Sequence, residues 1–260
     1  MTWWEGAVLG LVQGLTEFLP VSSSGHLVVA EAALRLRMPG VAFDVLLHVA
    51  TLGAVVLVYH RRIGSLLAGL GRGHGGATRS VGLLALATVP AGLAGVLLGD
   101  MFQRAFDSLR VVGVDFMITG AVLWSTRRLS GGARTEPTVA GAGAIGLAQA
   151  LAIMPGISRA GSTVAAALWA GVAPARAAEF SFLMAIPVIL GAAVLELPEL
   201  AGGTPGAGPA SLIWGAAAAF GSGIVAIKVL VRVLERGAFY RFAPYCWIIG
   251  AGTILWSFAS

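Results

Sequence analysis

The chain has 260 residues, of which 57% are hydrophobic and only 11% are charged, and its formal net charge is +5. A soluble domain usually has about a quarter charged residues, and it could not bury this much apolar surface. The composition therefore excludes a soluble globular enzyme, a disordered chain and a nucleic-acid binder with a charged face, and it predicts a polytopic α-helical membrane protein.

The first segment, 6–34, does not fit a simple transmembrane helix. It begins as an apolar helix, but Pro20 ends that helix because proline disfavours the α conformation of the residue before it. A polar run from Val21 to His26 follows, and then apolar residues resume. The first charge is Glu5 and not a basic cluster, so we expect no cleavable signal peptide. We predict a re-entrant helix–loop–helix hairpin, whose irregular backbone is buried in protein or lines a wet cavity.

Three segments nearly free of charge follow, each a candidate membrane span. They are 41–60, 81–99 and 111–126. A second irregular region, 139–173, then repeats the pattern of the first, with a polar loop from Pro155 to Thr163 between apolar stretches. The stretch after this loop is too short to cross a bilayer. A second re-entrant hairpin is therefore a better interpretation than one ordinary span with Arg159 just outside it.

Three further candidate spans complete the chain. They are 177–197, 211–230 and 243–258. The predicted fold class is an all-α integral membrane protein with six transmembrane helices plus two re-entrant hairpins, in a single polytopic membrane domain over residues 1–260. Cys246 is the only cysteine, which excludes an intrachain disulfide and a cysteine metal cluster.

The cations between the apolar segments predict the orientation in the membrane. Most of them lie in the predicted loops 61–80, 127–136 and 228–241. Few lie in the predicted loops 31–40, 100–110 and 198–210. Because lysine and arginine are enriched in cytoplasmic loops, we expect the first set inside and the second set, with both termini, outside.

The two irregular regions resemble each other in sequence. Gln13 aligns with Gln149 and Ser22 with Ser158 when one region is laid on the other. An odd number of spans separates them, so the two copies would be inverted in the membrane. We therefore predict inverted repeats, roughly 5–126 and 139–258. Such repeats place a binding site near the midplane, where the broken helices meet.

The first hairpin contains ionisable and hydroxyl groups that are expensive inside a membrane. Gln13 and Glu17 are four residues apart and share a helix face, and an ionisable residue at this depth indicates a functional role. The polar run adds three hydroxyls and one group that titrates near neutrality, Ser22, Ser23, Ser24 and His26. The alternative is a serine-rich N-cap with His26 bonded inside the bundle.

The second hairpin has the features of an anion site. A glycine-bearing loop that opens a helix presents free amides to an anion, and the planar guanidinium of Arg159 suits phosphate oxygens. The candidate phosphate-binding residues of both hairpins are Ser22, Ser24, Gly156, Ser158, Gly161, Ser162 and Thr163. The alternative is a topology-setting arginine beside an ordinary N-cap.

Together the two hairpins favour phosphoryl transfer, which needs charge stabilisation, a nucleophile and a proton shuttle. No Walker loop, zinc-ligand spacing or dinucleotide-binding fingerprint is present in the sequence. The alternative class is a transporter that binds an anionic lipid head or a small anion without chemistry. The combination of His26 and Glu17 favours the enzyme.

At these residues the chain resembles the bacitracin-resistance family of membrane undecaprenyl-diphosphate phosphatases. The family's first motif, Glu/Gln-x-x-x-Glu followed by Phe-Leu-Pro-Val-Ser-Ser-Ser/Thr-Gly-His, matches Gln13 to His26. Its second motif, Pro-Gly-x-Ser-Arg-Ser-x-x-Thr, matches Pro155 to Thr163, with Ala160 in place of the usual serine. The likeness also covers 43–51 and 178–183 and runs nearly end to end.

The resemblance implies hydrolysis of undecaprenyl diphosphate to undecaprenyl phosphate and phosphate, which recycles the lipid carrier for peptidoglycan synthesis and confers bacitracin resistance. It implies a multi-pass protein of the bacterial cytoplasmic (inner) membrane with an active site open to the outer, periplasmic face. It also implies a divalent cation, Mg²⁺ or Ca²⁺, and a homodimer. The partners are then the lipid substrate and the bilayer, with no nucleic acid.

Four residues are the candidate catalytic groups, Glu17, His26, Ser23 and Arg159. Glu17, with Gln13, would bind the cation or orient the nucleophile. Either His26 attacks phosphorus to give a phosphohistidine, or it acts as base toward Ser23 or water. We favour direct involvement of His26, because a buried serine needs a base close by and His26 is the only one at hand in the sequence.

Overall fold

The structure is a computed structural model that describes residues 1–34, 41–129, 132–195 and 207–259. Within these ranges the regular structure is helical, apart from an isolated bridge between Arg134 and Val172. The helices are α1 (Trp3–Phe18), α2 (Ser23–Leu34), α3 (Val41–Gly71), α4 (Gly75–Phe106), α5 (Leu109–Ser125), α6 (Val139–Leu151), α7 (Arg159–Trp169), α8 (Pro174–Leu195), α9 (Pro209–Glu235) and α10 (Ala243–Trp256). Short 3₁₀ turns lie at Thr126–Arg128 and Phe239–Phe242.

Five helices of the described chain, α3, α4, α5, α8 and α9, are long and apolar enough to cross a membrane. Large apolar side chains face outward on them, such as Val96 and Leu97 of α4, which are 72% and 74% exposed. The prediction of an all-helical multi-pass membrane protein is therefore confirmed. The sixth predicted span, 243–258, forms α10. This helix has 14 residues and a length of about 21 Å, which is less than a full crossing.

The helices are longer than the charge-free segments that predicted them. The predicted loop 61–80 narrows to 72–74, and the predicted loops 100–110 and 228–241 are helical over much of their length. Those loop boundaries were wrong because the helical backbone continues beyond the apolar phase. The predicted span ends at 60 and 99 correspond instead to kinks, at Tyr59 in α3 and at Leu98 in α4. Parts of the other predicted loops lie outside the described residues: 31–40, 127–136 and 198–210.

Both predicted interruptions are present. α1 ends at Phe18, two residues before Pro20, and α2 begins at Ser23. α6 and α7 are separated by residues 152–158. Each irregular region is thus a pair of short helices joined by a non-helical turn, as the polar motifs predicted.

The first hairpin is held by close backbone packing of α1 on α9. Gly6, Gly10 and Gly14 are spaced by four residues, and they face small residues of α9. A Cβ at Gly10 would lie 2.1 Å from the backbone oxygen of Gly215, so only glycine permits this approach, as in membrane helix pairs with small residues at every fourth position. On the second hairpin α6 packs on α4, where a Cβ at Gly146 would lie 2.7 Å from the oxygen of Ala87.

The two turns lie inside the main hydrophobic cluster. Phe18 and Val21 of the first turn are buried with Ala160 and Val164 of α7. Phe18 packs edge-on against Phe182 of α8, with ring centroids 5.3 Å apart. Polar residues of both motifs are buried in protein, among them Glu17, Ser22, Ser158 and Thr163, as irregular backbone at membrane depth requires, while Ser23 and His26 are half-buried.

Candidate active site

The turns of the two hairpins contact each other directly. A Cβ at Gly25 would lie 2.9 Å from the Cα of Gly156, and a Cβ at Gly161 would lie 3.4 Å from the Cβ of Pro20. The amide of Gly156 donates a hydrogen bond to Ser22 Oγ at 3.2 Å. The structure thus brings the two sequence motifs into one site.

Two helices begin at this contact, α2 and α7. Ser22 Oγ accepts from the amide of Gly25 at 3.3 Å, and Ser158 Oγ accepts from the amide of Gly161 at 3.0 Å, so both serines act as N-caps. The positive ends of two helix dipoles therefore converge, together with the first-turn amides that a helix leaves unpaired. This is a favourable setting for an anion.

Glu17 is the centre of the polar contacts. Its Oε1 accepts from Nη2 of Arg159 at 2.5 Å. Its Oε2 accepts from Ser23 Oγ at 2.7 Å and from Gln13 Nε2 at 3.0 Å. Nε2 of His48 lies 3.7 Å from the same oxygen. The structure thus brings together three of the four candidate catalytic residues, Glu17, Ser23 and Arg159, with Gln13 beside them.

Arg159 has one guanidinium arm that is not used. Nη2 is bound to Glu17, whereas Nη1 is buried and has no hydrogen-bond partner in the described structure. A buried charged donor without a partner is costly. At a site formed by two helix N-termini, that arm suits a phosphate oxygen.

His26 lies on the other side of Ser22. Its Nδ1 is 2.7 Å from the backbone oxygen of Ser22, and its Nε2 is 2.7 Å from the hydroxyl of Tyr245. The ring of Phe116 meets the imidazole edge-on at 5.1 Å. Both ring nitrogens thus have partners other than Glu17 and Ser23.

The remaining candidate residues build the loop. Thr119 of α5 accepts from the amide of Ser158 at 3.0 Å and donates to the oxygen of Gly156 at 2.8 Å. The hydroxyl of Thr163 bonds to the oxygen of Arg159 at 2.7 Å and to Ser181 Oγ at 2.6 Å. Three more candidates lie beside this loop. Ser162 is buried, and the amide of Gly161 donates to the N-cap Ser158. The Oγ of Ser24 lies 3.4 Å from that of Ser22.

Sequence reasoning missed three residues, His48, Thr119 and Tyr245. His48 and Asp44 share a face of α3 with the same four-residue spacing as Gln13 and Glu17, and this spacing was a usable signal. Thr119 and Tyr245 lie in apolar segments without any local motif. Only the packing of α5 and α10 on the turns brings them to the site.

The predicted cation ligands fit a divalent ion only in part. Gln13 Oε1 is buried and has no hydrogen-bond partner in the described structure, and it is a hard oxygen of the kind that Mg²⁺ and Ca²⁺ prefer. Both oxygens of Glu17 already accept hydrogen bonds. Within the described ranges, no group of three or more His, Cys, Asp or Glu residues is placed to hold a metal ion.

Comparison with known proteins identifies the family. The family model described as "Bacitracin resistance protein BacA" matches residues 6–252. A protein named undecaprenyl-diphosphatase from Desulforapulum autotrophicum is 38% identical over 277 residues, covering all of both chains. A protein of the same name from Desulfosudis oleivorans is 43% identical over 97% of both chains. Another, from Salinibacter ruber, is 43% identical over 98% of this chain and 99% of the relative. The chain belongs to the bacitracin resistance protein BacA family.

Proposed function

We propose that this multi-pass membrane protein hydrolyses undecaprenyl diphosphate to undecaprenyl phosphate and inorganic phosphate, recycling the lipid carrier of peptidoglycan synthesis and conferring bacitracin resistance. The observation that carries the proposal is the environment of Arg159. One arm is fixed on Glu17 next to Ser23, and the other is buried and free where two helix N-termini meet. The names of the full-length relatives supply the substrate.

The diphosphate binds through its oxygens. Nη1 of Arg159 and the first-turn amides of α2 and α7 contact the phosphate that is transferred, while Gly156, Ser158 and Thr163 hold the loop in shape. The prenyl chain stays in the apolar phase between helices. Because the donors are fixed before the substrate arrives, they stabilise developing charge without reorganising.

Ser23 is the nucleophile in this proposal. As its Oγ bonds to the terminal phosphorus, its proton passes to Glu17 Oε2, which already accepts the hydroxyl hydrogen bond. The anhydride bond breaks, and undecaprenyl phosphate leaves with the bonding electron pair. A water molecule then attacks the phosphorus of the phosphoserine, the P–Oγ bond breaks, and Glu17 returns its proton to Ser23 Oγ. The water oxygen leaves with its protons in the inorganic phosphate. A phosphohistidine on His26 is the alternative, and it requires a ring nitrogen to leave Ser22 or Tyr245 first.

A divalent cation, Mg²⁺ or Ca²⁺, remains part of the proposal. Gln13 Oε1 would hold it together with diphosphate oxygens, since the oxygens of Glu17 are engaged by hydrogen-bond donors. When bound, the cation would neutralise charge on the diphosphate.

We also propose the inverted-repeat architecture over roughly 5–126 and 139–258. Its support is a reciprocal exchange of partners between the halves, because α1 of the first half packs on α9 of the second and α6 of the second half packs on α4 of the first. In addition, α5 packs on α10 and α3 on α8. The loop charges support an orientation with the site open to the periplasmic face, and the inner-membrane location is proposed from the family resemblance. The homodimer stays a proposal from the family resemblance.

A transporter is the second candidate, because converging broken helices are a common way to bind anions in transporters. Release of phosphate from undecaprenyl diphosphate by the purified protein separates the two. Ser23→Ala and Glu17→Gln should each lower the turnover at least a hundredfold, and Ser65→Ala on the exposed inner part of α3 should not change it. Wild-type protein that binds the lipid without releasing phosphate would reject the hydrolase.

A further inference from the structure

We infer that His26 and Tyr245 are positioning residues for the turn that carries Ser23, and that His26 does not attack the substrate. The inference rests on the proposed hydrolysis at Ser23. It follows from the protonation pattern of the imidazole, the backbone conformation of Ser22 and the contacts at the start of α10.

The hydrogen bonds fix which nitrogen of His26 carries the proton. The backbone oxygen of Ser22 can only accept, so Nδ1, 2.7 Å away, is the donor. In the neutral ring the lone pair is then on Nε2, where it accepts from the Tyr245 hydroxyl at 2.7 Å. A doubly protonated ring would have no lone pair at all. In neither state does His26 have a free nitrogen with which to attack phosphorus or to accept a proton.

The group that His26 holds is in an unfavourable conformation. Ser22 has a φ of 69°, and it is the one residue other than glycine with a positive φ in the described part of the chain. A residue with a side chain keeps this conformation only when its surroundings fix it. The imidazole N–H and the amide of His26, at 3.3 Å, both donate to the Ser22 oxygen.

This conformation sets the geometry of the active site. It directs Ser22 Oγ to the amide of Gly156, which ties the first turn to the second. The next residue, Ser23, then starts α2 with its hydroxyl on Glu17. If the Ser22 oxygen loses the imidazole, the turn can relax, and Ser23 moves away from its base.

Three consecutive residues at the start of α10 contact this turn and the neighbouring helix α5. Tyr245 bonds to His26, Cys246 Sγ lies 3.7 Å from the oxygen of Pro20, and the indole N–H of Trp247 donates to α5 at 3.2 Å. The rings of Tyr245 and His26 are parallel within 2°. The short helix α10 therefore acts as a brace for the catalytic turn.

The test compares substitutions that keep or remove each hydrogen bond. In His26→Asn the side-chain nitrogen occupies the place of Nδ1 and can still donate to Ser22, whereas His26→Ala cannot. In Tyr245→Phe only the bond to Nε2 is lost. Tyr240→Phe is the matched control, because Tyr240 contacts Trp124 and lies away from the turn. For each purified full-length variant, kcat and KM on undecaprenyl diphosphate and the melting temperature are measured.

We expect His26→Ala to lower kcat about a hundredfold or more and His26→Asn to recover most of that loss. Tyr245→Phe should lower kcat a few-fold to about tenfold with KM within about twofold, as expected for one hydrogen bond that orients another group. The inference would be overturned if His26→Asn were as inactive as His26→Ala with an unchanged melting temperature, and if acid-labile phosphate were trapped on the wild-type protein.

A second measurement does not depend on activity. Nitrogen-labelled histidine NMR of the wild-type protein should find His26 protonated at Nδ1, and the Nε2 signal should shift in Tyr245→Phe but not in Tyr240→Phe. A ring protonated only at Nε2 refutes the positioning role, even if the asparagine variant fails to fold. A wild-type protein with the expected spectrum but no phosphate release contradicts the proposed function instead.

Discussion

Replacement of Gly10 by alanine tests how the packing of α1 on α9 sets the active site. The added Cβ would lie 2.1 Å from the oxygen of Gly215, whereas ordinary contact begins near 3.4 Å. Since the obstacle is backbone, no side chain can rotate away, and α1 must shift by about 1 Å. Overpacking of this kind costs about 1–3 kcal/mol.

The shift should reach the chemistry as well as the stability. Gln13 and Glu17 lie on α1 within two turns of Gly10, and a misplacement of about 1 Å can lower turnover about a hundredfold. We therefore expect Gly10→Ala to lower both the melting temperature and kcat. Thermal unfolding in detergent and phosphate release measure the two effects.

Gly95→Ala on α4 is the matched control. No atom lies within 4 Å of a Cβ built there, and alanine is the better helix former, so stability and turnover should not fall. A Gly10→Ala protein with the melting temperature and kcat of the wild type would refute the argument from close packing.

Three further predictions concern the ion pairs and the orientation. Arg159→Lys should lower kcat/KM about a hundredfold to a thousandfold despite keeping its charge, because a compact ammonium lacks the planar fork that places one arm on Glu17 and the other toward a phosphate oxygen. Activity within a few-fold of wild type would contradict this role. In a Cys246→Ala background, cysteine at Ser24 should react with a thiol reagent added from outside and cysteine at Ser65 only after permeabilisation, and the reverse pattern would overturn the topology. Arg62→Gln, which breaks the ion pairs of α3 with two carboxylates at the inner end, should lower the melting temperature and leave kcat unchanged, so a large loss of kcat would show that this cluster serves the reaction.

The sequence predicts those parts of the candidate site that depend on local residue types. Proline and glycine mark the two turns, and an acid or arginine at membrane depth indicates a functional role. Glu17, Ser23 and Arg159 are therefore candidates from the sequence alone, and in the structure they contact one another. The sequence also predicted the class of the fold, because the length of charge-free segments reflects bilayer thickness directly.

The sequence does not indicate which side chains of the site form hydrogen bonds with each other. The sequence predicts direct involvement of His26, as nucleophile or as base, because it is close to the serines in the chain. In the structure, however, the ring of His26 bonds to Tyr245, more than two hundred residues later. Glu17 accepts the Ser23 hydrogen bond instead. Which of two nearby groups contacts a hydroxyl depends on one backbone angle, and no residue pattern reports that angle.

The unequal lengths of the helices have a consequence for the surrounding lipid. α3 has 31 residues with a kink at Tyr59, so its segment before the kink, about 27 Å long, is close to the roughly 30 Å of hydrocarbon, and the segment after the kink extends toward the headgroups. α10, at about 21 Å, falls short of the same thickness by about 9 Å. Beside α10 the bilayer must thin, or the gap must be filled by headgroups and water. We therefore expect the bilayer to be thinner beside α10 than beside the longer helices, and activity should depend on the acyl-chain length of the host membrane.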